Sequence, residues 1–428
     1  MKIAFISQPF GDMNPHHQSS SLEIWTYEVA SRLCNYDDCD VIVYAREDDR
    51  YPKIEEHKGI QYRRVSLGLD EKTNRLANTT ERILSYPRQK LPVFAQQFYY
   101  QNYIKQVALD LRDQDCDIAH IFNFSQFAPV IKEHNSNIKV VLNMTCEWLS
   151  QLDENVIKRR LQSVDQVISC SNYITHKIQQ RFPAYADRCT TVYNGVYIPD
   201  SNSTNEERFQ SEEENKRLLF VGRVSPEKGV HDLLQAMHKI VEACPDVQLD
   251  IVGPTISLAY EYLVMISDDP TVSGLSSFYT KGLVRHDTYF KSLKASLEPD
   301  VANRVNFIGQ VLHADIMCFY QHADILINPS LSESFGISLI EAMANGRPVV
   351  ASRVGGMQEI LINGETGFFS EPGDADALAE KTITLLKNPD MRKSMGMAGR
   401  QRVQELFTWE NVTQDLLLQY SRIVDSED

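Results

Sequence analysis

The feature that most restricts this chain is a rhythm that runs, stops and starts again. A short apolar run, "KIAFIS", opens it and is followed by Pro9 and Gly11. That reads as a buried strand and then a loop. "SLEIWTYEVASRL" comes next with apolar residues at helical spacing and Ser21 as a candidate cap, and "CDVIVYA" is a second strand. The succession continues through "CDIAHIFN", "IKVVLNM", "VDQVISCS" and "CTTVYNGV". Strands joined by helices run parallel, so the pattern predicts a doubly wound α/β sheet. Residues 198–216, "IPDSNSTNEERFQSEEENK", are polar and acidic, and read as a domain linker with a flexible portion. "RLLFVGRV" restarts the rhythm at residue 217, and "VQLDIVG", "RVNFIGQ", "ADILINPS", "RPVVASR" and "TGFFSE" supply further strands. The expectation is two doubly wound Rossmann-like domains in tandem, residues 1–200 and 201–410. Residues 254–303 form an unusually long interval between two strands, with helical pieces in "SLAYEYLVMI" and "TYFKSLKASL". The closing "WENVTQDLLLQYSRIV" is helical by period, and its pattern alone does not say which domain it joins.

Composition narrows the function classes. At 428 residues the chain exceeds one ordinary core. Its 43% hydrophobic and 24% charged residues are those of globular material. A net charge of −15 argues against general nucleic-acid binding, which needs a basic face to neutralise phosphates. The eight cysteines form no CxxC pair, and scattered thiols fit a reducing cytoplasm. The N-terminal apolar run is too short for a signal peptide. No stretch approaches the roughly 18 consecutive apolar residues of a membrane span. The expected location is cytoplasmic, with surface association at a membrane left open.

Two stretches carry candidate chemistry. In "PSLSESFGISLIEAMANGRPVVASRVGG", Glu333 lies in a loop and Glu341 lies inside the following helix, which begins at about Ile337. Gly336 permits close backbone approach. The free N–H groups of a first helical turn favour an anion. A carboxylate on either side suits hydroxyl pairs, so the stretch has parts for a hexose, a phosphate and a ribose. The plainer reading is an ordinary helix cap. In "FVGRVSPEKGV", Arg223 and Lys228 occupy a loop after a strand and ahead of a helix near Val230. Two cations there suit a departing diphosphate, or else are solvated surface charges.

Together these stretches resemble the family 4 glycosyltransferases, which have the GT-B fold: two doubly wound Rossmann-like domains facing a cleft. The resemblance is carried by "VGRVSPEKG", "VNFIGQV", "ADILINPSLSESFGISLIEAMANGRPVVAS", "GGMQEILINGETGF", "FTWENVTQDLLLQY" and the E-x7-E element from Glu333 to Glu341. Weaker similarity covers "IWTYEVASRL", "VISCSNYI" and "VYNGV". It implies that Arg223 and Lys228 hold the donor diphosphate and that Glu333 contacts the donor sugar. By the same similarity, Phe335 and Gly336 offer backbone amides to the sugar. Ile337, Ser338 and Leu339 continue that cradle to the phosphate. Glu341 matches the ribose-binding glutamate, and Gly309 and Val311 the segment beside the nucleobase. The family retains anomeric configuration, needs no metal or other cofactor, and works in the cleft between its domains. Its final helix, here about 411–428, crosses back onto the N-terminal domain.

Two positions depart from the family. A Gly-Gly pair in the first N-terminal loop, near the donor phosphate, is replaced by Ser20 and Ser21, with Gly11 nearby to assist. Serine disfavours positive φ, so a differently shaped loop is expected. A His-x-His pattern after the third main strand is reduced to His120, with Phe122 and Asn123 following. His120 reads as a packed strand-end histidine, and Asn123 is the candidate replacement contact to the sugar.

On the acceptor side, residues 72–105 hold six Lys or Arg against one acid, Glu81, and five closely spaced aromatics. This suits an anionic membrane surface or a lipid-diphosphate acceptor, and equally a helical pair with core aromatics. Trp148 is a candidate stacking wall or a buried tryptophan. The leading expectation is a retaining hexosyltransferase using a nucleotide sugar, most simply a UDP-sugar, and a glycan or lipid-linked acceptor. The alternatives are a sugar-nucleotide epimerase on the same fold and a non-catalytic UDP-sugar-binding subunit. A Rossmann oxidoreductase lacks its G-x-G-x-x-G after the first strand.

Overall fold

A run such as "KIAFI" has no polar side to show to water, so it must be covered on both faces. This is the condition of a strand inside a parallel sheet flanked by helices. The computed structural model describes residues 1–11, 13–18, 20–84, 90–199, 216–279 and 288–425. The expected linker lies largely outside them. The chain forms two units: Met1–Gly195 with Trp409–Asp428, and Val196–Thr408.

The first unit contains β1 (Lys2–Ile6), β2 (Asp40–Arg46), β3 (Ile54–His57), β4 (Ile60–Val65), β5 (Ile118–Phe122), β6 (Lys139–Met144), β7 (Gln166–Ser169) and β8 (Cys189–Thr191). Their order is β3-β4-β2-β1-β5-β6-β7-β8. All neighbours pair in parallel except β3 with β4. The β3–β4 hairpin was not part of the rhythm read from sequence, because the edge strand "IEEH" and its neighbour "IQYRRV", buried only at alternate residues, carry no continuous apolar run. β5 is buried at every residue.

The terminal helix Trp409–Val424 belongs to the first unit. Trp409, Val412, Leu416 and Tyr420 share one core cluster with Trp25, Val29 and Leu33 of the helix Ser21–Leu33. Tyr420 reaches His120 on β5, its hydroxyl 2.7 Å from Nδ1. His120 is fully buried between Phe5, Trp25 and Phe122, and desolvation lowers its pKa to about 3. It is a neutral packing residue.

The basic segment takes the plainer of its two readings. Phe94, Tyr99, Tyr100 and Tyr103 are buried, leaving Phe98 as the exposed member. Lys72, Arg75 and Lys105 face solvent. Arg82 and Arg88 lie outside the described side chains. The aromatic membrane patch is therefore corrected: its rings are core. Among the described residues, no helix is long and apolar enough to cross a membrane.

The second unit contains β9 (Arg217–Val221), β10 (Gln248–Val252), β11 (Val305–Gly309), β12 (Ile325–Asn328), β13 (Val349–Ser352) and β14 (Gly367–Ser370). All pair in parallel in the order β11-β10-β9-β12-β13-β14. Winding proceeds outward from β9 in one direction, then resumes beside it with β12 in the other. That reversal falls at the carboxyl ends of β9 and β12, the place where open α/β sheets generally bind ligands. The long interval after β10 contributes a small cluster, Val264, Leu275 and Tyr279, which packs on Leu331 in the loop after β12.

The contact between His120 and Tyr420 gives a stability prediction. Tyr420→Phe keeps the ring but leaves a buried imidazole nitrogen unpartnered, at about 1–3 kcal/mol. A thermal melt is expected to fall by several degrees, at roughly 2–4 °C per kcal/mol for a unit of this size. An unchanged melt would contradict the pairing.

Candidate functional site

The loop after β9 runs from Gly222 into a 3-10 turn, Pro226–Lys228, and then into the helix Val230–Ala243. The loop after β12 runs from Pro329 to Gly336 and enters the helix Ile337–Ala344. The two loops touch at consecutive residues. The Glu227 carbonyl accepts N–H bonds from Leu331 at 2.8 Å and Ser332 at 3.4 Å. Lys228 Nζ donates to Glu333 Oε2 at 2.6 Å, both side chains about five-sixths buried. Gly229 takes φ 64°, and a β-carbon there would lie 2.0 Å from the Pro329 carbonyl oxygen. Only glycine allows that approach.

Arg223 and Lys228 thus stand where the sequence placed them. Arg223 donates through Nη2 to Glu227 at 3.3 Å and keeps over a third of its side chain exposed. Ser225 Oγ donates to the same carboxylate oxygen at 2.6 Å. Glu227 is 2% exposed and was missed as a site residue. Its signal in the sequence is an acid between two cations, four residues from Arg223.

Gly336 starts its helix at φ 113°, with Met357 Cγ 2.9 Å from where a β-carbon would be. Ile337 and Ser338 occupy the first turn, whose N–H groups lack intrahelical acceptors. The Leu339 N–H is already bonded to the Gly336 carbonyl at 3.0 Å, so its expected role toward a phosphate is corrected. Asn328 Nδ2 donates to Ser338 Oγ at 3.1 Å. Phe335 is buried, its ring edge-on to Phe407. Gly309 ends β11 and accepts from the Gly253 N–H at 2.8 Å. Val311 follows it, half-buried.

Glu341 sits on the helix Ile337–Ala344 and accepts from the Tyr320 hydroxyl at 2.5 Å. Part of the residue reaches the surface, but the carboxyl group is enclosed. Desolvation raises its pKa to about 7, against the lowering effect of the tyrosine hydrogen bond. Tyr320, 1% exposed, was not foreseen, because nothing in its helix marks it apart from core.

In the first unit, Gly11, Ser20 and Ser21 line one cavity of about 530 Å3. Ser20 takes φ −131°, so this loop does not require glycine there. Its hydroxyl caps the helix by accepting from the Glu23 N–H at 3.3 Å. Asn123 is corrected as a sugar contact. It sits at φ 60°, donates through Nδ2 to Thr145 Oγ1 at 2.9 Å, and accepts from the Thr145 N–H at 2.8 Å. Its amide is used to join the loops after β5 and β6. Trp148 packs on Phe94 and Phe124, with ring centroids 4.5 and 6.0 Å away.

Comparison with known proteins follows the same division. The family model described as Glycosyl transferases group 1 matches residues 202–402. The model described as Glycosyltransferase Family 4 matches residues 22–198. The lipopolysaccharide 1,2-N-acetylglucosaminetransferase of Salmonella typhimurium is 26% identical over 421 residues, 96% of each chain. The sucrose-phosphate synthase of Thermosynechococcus elongatus superposes with a TM-score of 0.72 at 23% identity, covering 100% of both chains. The Anabaena protein Alr3699/HepE, solved in complex with UDP-glucose, has a TM-score of 0.66 at 18% identity, covering 99% of this chain and 100% of that one. At these identities the structural likenesses show the fold.

The Glu341 environment makes stability depend on pH. A carboxyl raised to about 7 holds its proton more tightly folded than unfolded. Stability is therefore full below the ordinary carboxylate range and is lost as pH rises through 7, by up to about 3 kcal/mol. Glu341→Gln lacks this dependence. Thermal melts at pH 5 and pH 8 are expected to show wild type losing ground to the variant at the higher pH. A gap independent of pH would show that the carboxyl is not so enclosed.

Proposed function

This chain belongs to the family 4 glycosyltransferases, which have the GT-B fold, and from that premise we propose that it transfers a hexose from a UDP-sugar to a glycan or lipid-linked acceptor with retention of configuration. One observation carries the reading. Arg223 and Lys228 stand on the loop beside β9, and Glu333 with the mouth of the helix Ile337–Ala344 on the loop beside β12. Adjacent strands thus bring cations, amides and carboxylate to one edge of the sheet, which supports the reading.

In this reading the diphosphate lies against Arg223, Lys228 and the N–H groups of Ile337 and Ser338. Glu333 accepts from the sugar hydroxyls, and Glu341 from the ribose. Glu227 fixes Arg223. As the anomeric carbon–oxygen bond breaks, its electron pair passes to the diphosphate, whose charge the cations meet. The acceptor oxygen bonds the anomeric carbon from the same face, and its proton moves to the leaving phosphate oxygen. The side chains supply the charge stabilisation, so the reading assigns no step to a metal. The UDP-glucose complex of the Anabaena neighbour supports uridine as the base.

Incubation with UDP-, GDP- and ADP-hexoses, followed by thermal shift and product analysis, tests the donor: the true nucleotide raises apparent stability. Arg223→Ala is expected to lower kcat by about a hundredfold or more. Normal turnover in that variant would defeat the diphosphate assignment. UDP affinity is expected to fall as pH drops below about 7, since Glu341 must be ionised to accept from both ribose hydroxyls. The limit is roughly tenfold per pH unit, and the slope should vanish in Glu341→Gln. A wild-type affinity flat from pH 6 to 8 would remove Glu341 from the ribose.

A further inference from the structure

Two helices of the second unit meet at Glu341. Tyr320 sits two residues before the end of the helix His313–His322, is 1% exposed, and donates its hydroxyl to Glu341 Oε2 at 2.5 Å. Glu341 rides on the helix Ile337–Ala344, and its backbone carbonyl accepts from Asn345 Nδ2 at 2.8 Å. A second tie lies beside the first. Arg347 Nη2, just beyond the end of one helix, donates at 2.7 Å to the carbonyl of Gln321, the residue next to Tyr320 on the other. The glutamate is thus held at its backbone and at one carboxylate oxygen. Its other oxygen, Oε1, bonds to no group among the described residues.

The last torsion of a glutamate side chain is broad, so nothing in the residue itself sets the plane of its carboxylate. An ionised carboxylate has about four lone-pair sites, and a donor that takes one of them fixes the plane of the other three. Tyr320 is a lasting donor, because burial and the neighbouring carboxylate push its hydroxyl well above the ordinary tyrosine range. Its bond also favours the charged form of Glu341, against the burial that raises the carboxyl to about 7. The charged groups on the surrounding elements are committed elsewhere. On the helix Pro389–Leu406, Arg400 Nη1 donates to the Ala344 carbonyl at 2.8 Å, and Arg402 donates to the Glu359 and Ile360 carbonyls at 2.7 and 2.8 Å. Before β12, Asp324 accepts from the Arg217 N–H at 2.8 Å. On the tyrosine's own helix, Asp315 is exposed and His322 Nδ1 lies 2.5 Å from the Cys318 carbonyl. None of these acts on the Glu341 proton.

We propose that Tyr320 is a positioning residue of the donor site: its hydroxyl sets the plane of the Glu341 carboxylate so that the remaining acceptor sites take the paired hydroxyls of a ribose, and the site thereby prefers a ribonucleotide to its 2′-deoxy form. The identity of that ligand rests on the transferase reading, whereas the hold of Tyr320 on the carboxylate does not. Tyr320 acts through Glu341 and touches no substrate. Without its hydroxyl the carboxylate turns more freely and ionises less readily, so selectivity and pH dependence both move.

Tyr320→Phe in the full chain tests it, alone and in a Glu341→Gln background. Isothermal titration with UDP and 2′-deoxy-UDP between pH 6 and 9 reads the site. Wild type is expected to bind UDP about tenfold more tightly than the deoxy form, and Tyr320→Phe less than about threefold. The pH below which UDP affinity falls should rise by about one unit in Tyr320→Phe, since a charge-assisted hydrogen bond is lost. In the Glu341→Gln background the same change should weaken UDP binding by a smaller factor, because the two side chains act as a pair. Melts without ligand read the carboxylate by itself. The loss of melting temperature caused by Tyr320→Phe should grow between about pH 7 and 8.5, where Glu341 is ionised in wild type and still protonated in the variant. With Glu341→Gln that loss should not change with pH. A loss constant with pH in both backgrounds, a wild-type site indifferent to the 2′-hydroxyl, an unchanged preference in Tyr320→Phe, or effects of the two substitutions that simply add would each overturn the proposal. Melts that behave as expected in a protein that binds neither nucleotide would instead fail the transferase reading, and the ribose with it, while the hold of Tyr320 on Glu341 stands.

Discussion

Three consecutive residues, Glu227, Lys228 and Gly229, hold together two loops that the sequence separates by about a hundred positions. Each uses a different force. Glu227 gives its carbonyl to the Leu331 and Ser332 amides, Lys228 pairs with Glu333, and Gly229 lets the chain pass against Pro329. The loops leave adjacent strands, and adjacency alone would set them side by side without fixing their depth. These contacts fix it. They also decide what the charges can do, since a cation tied to a carboxylate on the facing loop is held in place before any ligand arrives. The Glu227 carboxylate completes the arrangement by holding Arg223 and Ser225 from beneath. Leu331 is supported in turn by Val264, Leu275 and Tyr279. The long interval after β10 therefore acts on the site through packing.

The first unit shows how burial redirects polar residues. His120 and Asn123 lie at and just beyond the end of β5, where a ligand contact is a reasonable expectation. His120 is enclosed by three aromatic rings and bonded to Tyr420, so it is neutral and has no path to a substrate. Asn123 spends its amide on Thr145. In both cases a buried polar group found a partner in the protein because leaving it unpaired costs more than any single contact returns.

Much of the fold was legible because the signals are local. Apolar runs bounded by Gly, Pro and polar loops announced twelve of the strands described above, and the restart at Arg217 announced the second unit. The hairpin β3–β4 escaped because an edge strand and a neighbour buried only at alternate residues need no continuous apolar run. The donor-side residues were legible for the same reason: Arg223, Lys228, Glu333 and Glu341 sit in two short segments whose order along a strand–loop–helix unit fixes their level in the sheet. Glu227 and Tyr320 were not, because each is defined by a contact that only folding supplies: the Glu227 carbonyl meets the Leu331 N–H of the facing loop, and the Tyr320 hydroxyl meets Glu341 on the next helix.

The amino-acid sequence by itself determined the parallel parts of the two sheets, their helical layers and the loops on which the charged residues ride, since periodicity and turn chemistry act over a few residues. Tertiary structure alone decided which polar groups were left free to meet a ligand. That depends on who their neighbours are, and a buried donor becomes a contact or a binding group only when folding has supplied its partner or withheld it.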